Sequence, residues 1–404
     1  MLSMRYWDAV FAFVAAMIVA AVLTPLAALL ARRVGAVDRP TERGLGRGET
    51  PLLGGLAILA AVLVAAAIWM PETIRLARDV GARPGSGGTV DTRVLLAGAC
   101  LIALVGAIDD ARDLRPQWKL LGQIAAAVIA VKAGAVVTDV TLPFVGALQF
   151  PHGGGVLTVI WLVGMMNVVN FSDGVDGLAA GVCTIDGIAF AVIAFDLQVS
   201  AAAVLAAITA GAALGFLFHN FHPAAVFMGD SGANLLGYLL GVVAVVGSLK
   251  TNVVVALVVP LVILAVPFLD TGFVIAKRLK YRRKPWSADA NHFHHRMARI
   301  GFSQRKTVAY LYAWTLLLAG LAVALRLVPY HAHNQYHLGW VVVMVAVCLA
   351  ALAASVYLIY LLEIFKFRGQ RAHELRNVDP ATSEHEIDER VKRDIETGEF
   401  ETVG

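Results

Sequence analysis

The residues able to do chemistry lie in five polar stretches set between long apolar runs: DRPTERGLGRGETPLLGG at 38–55, IDDARDLRPQWKLLGQ at 108–123, NFSDGVDGLAAG at 170–181, HNFHPAAVFMGDSGANLLG at 219–237 and SADANHFHHRMARIGFSQRK at 287–306. Asp109 and Asp110 are adjacent at the end of one run. Neighbouring acids repel unless a cation or a basic group sits between them, which favours a metal or phosphate site with Lys119 close by. A solvated helix end paired with Arg112 and Arg115 would read the same way. Asp173 and Asp176 stand three apart, so a helix beginning there would carry both on one face. They fit Ser172 or Asp173 as an N-cap with Asp176 in the first turn, and they also fit a ligand site where Gly174 and Gly177 let backbone amides come close. Asp230, between Gly229 and Ser231, repeats the design as either a turn with an Asp cap or a carboxylate free to reach a ligand.

His292, His294 and His295 sit in a loop with Arg278, Lys280, Arg282, Arg283, Lys284 and Arg296. Zinc is disfavoured there: the i, i+2, i+3 spacing offers no separated fourth ligand, and dense positive charge repels another cation. Phosphate recognition suits the loop better, although a topogenic basic loop would also explain its arginines and lysines. Taken together, acids for a hard divalent cation and bases for phosphates imply an anionic substrate. Magnesium commonly takes one or two carboxylates and completes its shell with substrate phosphate and water, so few protein ligands are needed. The chemistry expected is phosphoryl-type transfer from a soluble diphosphate donor to a membrane phosphate, with Mg2+, or Mn2+ in its place, as cofactor.

The elements that must position these residues are membrane helices. The chain is 59% hydrophobic and 15% charged over 404 residues, with a mean hydropathy of +0.73, and none of its apolar segments alternates with period two. The reading is an all-α integral membrane protein with about eleven transmembrane helices, near 7–31, 52–70, 94–108, 118–137, 154–171, 177–195, 200–218, 232–249, 252–276, 307–329 and 339–365. The first is read as a retained helix, since no small-residue cleavage site follows it. Residues 1–368 form the membrane domain and 369–404 a charged, loose or partly helical tail.

Lys and Arg set the orientation. Five lie in 32–50, three in 109–119, ten in 277–306 and seven after 365, with far fewer on the other side. Positive-inside then places the N-terminus outside and the C-terminus, with all five polar stretches, at the cytoplasmic face. The net charge of +4 is therefore a topology signal, and nucleic-acid binding is not indicated. Cys100, Cys183 and Cys348 lie inside apolar spans and read as packing residues. Asp186 and Asp270 fall within spans, where acids are functional candidates and could carry protons in an ion-coupled transporter. A satisfied interior hydrogen bond is the preferred reading of Asp186, and Lys132 snorkels. The chain has no internal repeat of the kind two-halved transporters show.

TPLLGGLAI, IDDARDLRPQWKLLGQ, NVVNFSDGVDGLAAG, VFMGDSGANLLG and NHFHHRMARIGFSQRK together resemble the ordered motifs of the polyprenyl-phosphate N-acetylhexosamine-1-phosphate transferases (glycosyltransferase family 4). The resemblance covers about residues 36 to 306. It implies transfer of a sugar-1-phosphate from a UDP-N-acetylhexosamine to polyprenyl phosphate, with release of UMP, in a multi-pass bacterial cytoplasmic membrane protein. Carried over by motif, Asp230 is the magnesium ligand, and Asp109 and Asp110 are the aspartate pair, with Asp109 the candidate to take a proton from the lipid phosphate. Asp173 and Asp176 match positions near the nucleotide, Phe227 one that stacks on uracil, and Asn220 a polar position ten residues before the metal acid. Lys119 would face a phosphate, and His292, His294, His295 and Arg296 would hold the sugar and diphosphate. NHFHHR is similar to the pattern of the N-acetylglucosamine-1-phosphate transferases, which makes UDP-GlcNAc the preferred donor. Another aminosugar or UDP-MurNAc-pentapeptide is the alternative, and a homodimer is left open. ERGLGRGETP departs from the Lys-x-His that the family often carries before Thr-Pro; Arg43 and Arg47 would supply the charge.

Overall fold

The computed structural model describes residues 6–38, 49–75, 89–137, 139–142, 146–149, 153–247, 303–328, 331–332, 335–336, 338–360, 375 and 383–397. The expected span at 252–276, Asp270, the loop with His292, His294, His295 and Arg296, and the pair Arg43 and Arg47 lie outside the described residues. The chain divides into two units, Met1–Pro267 with Thr315–Val328, and Phe268–Trp314 with Pro329–Gly404.

The first unit is a helical bundle: α1 (Tyr6–Val34), α2 (Gly54–Trp69), α3 (Thr92–Arg112), α4 (Pro116–Lys132), α5 (Gly154–Ser172), α6 (Leu178–Asp196), α7 (Ser200–Asn220) and α8 (Gly229–Gly247). It also holds the second half of α9 (Gln304–Leu327). Short antiparallel hairpins join several of these helices: β1 (Val37–Asp38) with β2 (Thr50–Pro51), β3 (Thr73–Arg75) with β4 (Thr89–Asp91), and β5 (Asp139–Leu142) with β6 (Gly146–Gln149). Ile74 faces Val90 across the second hairpin.

Among the described residues, seven helices, α1, α3, α5, α6, α7, α8 and α9, are long and apolar enough to cross a membrane. That is fewer than the eleven expected. At 16 and 17 residues, α2 and α4 fall about a turn short of the roughly 20 residues typical of a span, α10 (Leu338–Tyr360) qualifies only as a shorter apolar helix over Leu338–Ala353, and the 252–276 segment is not described.

Packing follows membrane rules. On α1, Ala12, Ala16, Ala20, Ala27 and Ala31 are buried, whereas Phe11, Ile18, Val22, Leu26 and Leu29 are exposed. Small residues face the neighbouring helix and large apolar ones face outward, because lipid is as apolar as leucine and close backbone approach provides the attraction. The opposing helix answers in kind: a Cβ on Gly211 or Gly215 of α7 would strike the carbonyls of Phe13 and Met17. At the far ends of α6 and α9, Asp196 pairs with Arg326 at 2.7 Å.

In the second unit, β7 (His331–Ala332) pairs with β8 (Gln335–Tyr336), followed by α10 (Leu338–Tyr360) and α11 (Glu384–Thr397). The tail expected to be loose or partly helical contains this last helix, whose start is capped by Ser383, its hydroxyl accepting from the Glu386 amide and donating to its carboxylate. Ile387 and Val391, one turn apart, close on Leu375.

A second close crossing in the first unit sets α2 against α8. A Cβ on Gly55 would collide with the backbone of Gly232, whereas Gly164 on α5 has nothing within 4 Å of the same position. Gly55→Ala should therefore lower stability by about 1–3 kcal/mol through forced helix separation, while Gly164→Ala should be neutral or stabilising by up to about 1 kcal/mol. Thermal unfolding of the two purified variants beside wild type reads the difference.

Candidate active site

Consecutive helices joined by short links run antiparallel, so the C-terminal ends of α3, α5 and α7 meet the N-terminal ends of α4, α6 and α8. Every described polar motif lies at this one end. The α3–α4 corner shows how the sequence builds it. Asp113 ends α3 in a left-handed conformation at φ 49°, Pro116 opens α4 at its first turn, and Asp109 Oδ1 accepts from the Leu114 amide at 2.8 Å.

Asp109 Oδ2 then lies 2.6 Å from Lys119 Nζ, and the same ammonium lies 2.6 Å from Asp230 Oδ2. Asn170 Nδ2 donates to Asp230 Oδ1 at 2.9 Å. The adjacent acids thus escape mutual repulsion by facing different ways. Asp110 turns toward α8, where its Oδ1 accepts from the Asp230 amide at 2.7 Å and its Oδ2 from the Ser231 amide at 3.2 Å. The cap of α8 is therefore a carboxylate from another helix, and the reading of Asp230 as a simple capping acid is corrected. Gly229, at φ 69°, makes room for it: a Cβ there would run into the Asp110 carboxylate.

The SDGVDG stretch also departs from expectation. Asp173 ends α5 and Asp176 precedes α6, which begins at Leu178 after Gly177 at φ 80°, with no acid in its first turn and no side-chain cap. The two acids lie in a loop and share no helical face. Gly177 has the left-handed backbone that ends the turn, and its amide is already taken by Asn220 Oδ1 at 2.9 Å. Asn220 Nδ2 donates to the Val226 carbonyl at 3.0 Å, so this buried side chain braces two loops. Asp176 Oδ2 accepts from His222 Nδ1 at 2.7 Å and from the Ala224 amide at 3.1 Å. Removal from water, and the negative charges of Asp230, Asp110 and Asp176, hold the half-buried Asp173 carboxyl well above the usual carboxylate range.

Phe227 is half-buried in a loop held by backbone bonds to the TPLLGG segment, from its amide to the Pro51 carbonyl at 2.9 Å and from the Gly54 amide to its own carbonyl at 3.1 Å. Asp186 is fully buried, and among the described residues neither carboxylate oxygen has a hydrogen-bond partner. The expected interior hydrogen bond is not made, since the threonines of α6 and α7, Thr184 and Thr209, bond back to Ala180 and Leu205 of their own helices. Asn170 and His222 were not singled out in the sequence, although both lie inside motifs that were. Gln123, Asn167 and Asn234, one helical turn deeper, were also not singled out.

Two carboxylate oxygens from different helices converge on one cation, here the Lys119 ammonium. Among the described residues no group of three or more His, Cys, Asp or Glu is gathered to hold a metal alone. That donor set fits magnesium, which accepts one or two carboxylates and finishes its shell with phosphate and water.

The family model for glycosyl transferase family 4 matches residues 92–248. The chain is 32% identical over 334 residues to a probable undecaprenyl-phosphate N-acetylglucosaminyl 1-phosphate transferase of Bacillus subtilis, covering 81% of this chain and 87% of that protein. It belongs to glycosyl transferase family 4. The likeness extends to a decaprenyl-phosphate N-acetylglucosaminephosphotransferase of Mycolicibacterium smegmatis, 36% identical over 72% of this chain and 75% of that one. A phospho-N-acetylmuramoyl-pentapeptide-transferase of Desulforamulus reducens is 32% identical over 69% of this chain and 83% of its own length. The residues that build this end of the bundle, from Asp109 to Asn234, all fall inside the matched family segment.

Removing Lys119 would leave the Asp109 and Asp230 carboxylates facing one another without a counter-charge. In chelator, Lys119→Met should lower thermal stability by several degrees, roughly 1–3 kcal/mol. Asp109→Asn in the Lys119→Met background should restore part of that loss. Melting curves of wild type and the two variants, run in parallel, check both expectations.

Proposed function

We propose that this protein transfers N-acetylglucosamine-1-phosphate from UDP-GlcNAc to polyprenyl phosphate, releasing UMP and forming polyprenyl-diphosphate-GlcNAc. The reaction takes place at the cytoplasmic face of a bacterial plasma membrane and is the first membrane step of a cell-envelope polysaccharide. The observation that carries this reading is the convergence of Asp109, Lys119 and Asp230 from three helix ends, at 2.6 Å contacts, in a chain whose relatives are named for this transfer to undecaprenyl and decaprenyl phosphate.

An oxygen of the lipid phosphate attacks the phosphorus that carries the sugar. The bond from that phosphorus to the oxygen bridging it to the uridylyl phosphate breaks, and UMP departs with the electron pair. Asp230 would hold the magnesium, which when bound would supply charge neutralisation at the transferring phosphoryl group. Asp109 Oδ2 accepts the remaining proton of the acceptor when that phosphate is not fully ionised, a modest contribution because the phosphate is already largely ionised near neutral pH. Lys119 passes from its two carboxylates to a substrate phosphate. Asp110 holds Asp230 in place through the backbone of α8. Asp173 and Asp176 with Phe227 form the uridine end, Asn220 shapes that end through the loops it braces, and His292, His294, His295 and Arg296 take the sugar and diphosphate.

A second donor merits a place in the test because a phospho-N-acetylmuramoyl-pentapeptide-transferase is among the relatives. The named relatives are all transferases, which leaves the ion-coupled transporter without support. Purified protein with polyprenyl phosphate, magnesium and UDP-GlcNAc should release UMP. Release should stop without lipid or magnesium and fall by on the order of 100-fold or more in Asp230→Ala. UDP-MurNAc-pentapeptide and UDP-GalNAc, offered in parallel, should be poorer donors. UMP release with either of them and none with UDP-GlcNAc would overturn the sugar assignment.

A further inference from the structure

Lys119, Asp230 and Asn170 meet at the ends of α4, α8 and α5. One turn deeper, the same three helices meet again. Gln123 follows Lys119 by four residues, Asn234 follows Asp230 by four, and Asn167 precedes Asn170 by three, the spacings that stack side chains on one helical face about 5.4 Å apart. Asn167 Nδ2 donates to Gln123 Oε1 at 2.9 Å, Gln123 Nε2 donates to Asn234 Oδ1 at 2.8 Å, and Asn234 Nδ2 donates to the Asp230 carbonyl at 2.8 Å. The chain of amides runs one way, from α5 through α4 to α8, and ends on the residue that carries the central carboxylate. Asn167 Nδ2 also donates to the Val163 carbonyl of its own helix at 2.8 Å, which fixes its rotamer.

Gln123 and Asn234 are only 5% and 4% exposed. Three leucines would fill such a place without removing amides from water, at no desolvation cost. What leucines cannot do is fix register. A slide of one helix by a single residue, about 1.5 Å, leaves apolar contacts nearly unchanged but breaks hydrogen bonds of this length. We infer that Gln123, Asn167 and Asn234 form a positioning layer that sets the height and rotation of α4, α5 and α8, so that Lys119 and Asn170 reach Asp230. These are positioning residues, not catalytic ones, because their amides bond to one another and to the backbone. The inference rests on the transferase reading of the layer above.

The layer should act on turnover rather than on donor binding, since Asp173, Asp176 and Phe227 lie on loops outside it. The test uses the full chain in lipid nanodiscs, with whichever UDP-sugar the wild type turns over. Gln123→Leu should lower kcat by about 10–100-fold, as expected for a misplacement near 1 Å, with KM for the donor within about twofold of wild type and a folded, monodisperse protein. In the Lys119→Met background the further loss from Gln123→Leu should shrink to less than about threefold, because the two residues act through one placement. Asn167→Ala, at a half-buried position, carries the same expectation if Gln123→Leu does not fold. A folded variant with wild-type kcat, or one in which only KM rises, overturns the positioning layer. Absence of turnover by the wild type with every donor removes the transferase reading and this inference with it, whereas normal wild-type turnover beside unchanged variants removes this inference alone.

Discussion

An ammonium held between two carboxylates from different helices is the contact on which this end of the molecule depends. Lys119 reaches Asp109 and Asp230 at the same distance, 2.6 Å, and supplies the counter-charge between the two carboxylates. Taking them partly out of water is costly, and the attraction offsets that cost only where geometry is fixed and the remaining lone pairs are used. The surroundings meet both conditions. Leu114 takes the second oxygen of Asp109, and Asn170 takes that of Asp230. Asp110 supplies the missing acceptors of the α8 N-terminus.

That geometry in turn requires backbones closer than ordinary side chains allow. Gly229 yields its space to the Asp110 carboxylate, and Gly55 and Gly106 let α2 and α3 lie against the first turn of α8. In lipid such crossings supply much of the association energy, so Gly55 and Gly106 hold the bundle together at the same helix end where Gly229 admits the Asp110 carboxylate. Stability and site geometry share the same contacts, and a substitution at one of these positions cannot change only one of them.

Much of this was legible in the sequence, for reasons of scale. Apolar length marks helices, and helices cover most of the expected spans. The acids of the motifs, Asp109, Asp110 and Asp230, are brought together with Lys119 as their types suggested. A three-residue spacing is compatible with a helical face for the SDGVDG acids, but α5 ends at Ser172, and Gly177, in the left-handed conformation, precedes the start of α6 at Leu178. The short hairpins were not anticipated, since two to four paired residues carry too few alternating positions to show a period. The amides beneath the site lie within the quoted motifs, but nothing in the sequence joins them to one another. Asn167 and Gln123 are 44 residues apart and Gln123 and Asn234 are 111 apart, and a single amide in an apolar run belongs to no pattern until its partners are placed beside it.

The helix N-termini at this end raise a question about how phosphates are held. Free amides at a helix start form a ready anion site, and the glycines around Asp176 and Asp230 suggested two of them. In the folded chain those donors are already engaged: Gly177 by Asn220, and Asp230 and Ser231 by Asp110. A diphosphate arriving here would meet carboxylates at the mouth of α8 and no unbonded amide at these three positions. In the proposed reading its charge would be answered by cations: Lys119, magnesium at Asp230 and the basic residues of the 277–306 stretch. This division explains why acids dominate a site meant for anionic substrates. The carboxylates fix the helix ends and hold the Lys119 ammonium, and in the proposed reading the cations they hold would meet the phosphates.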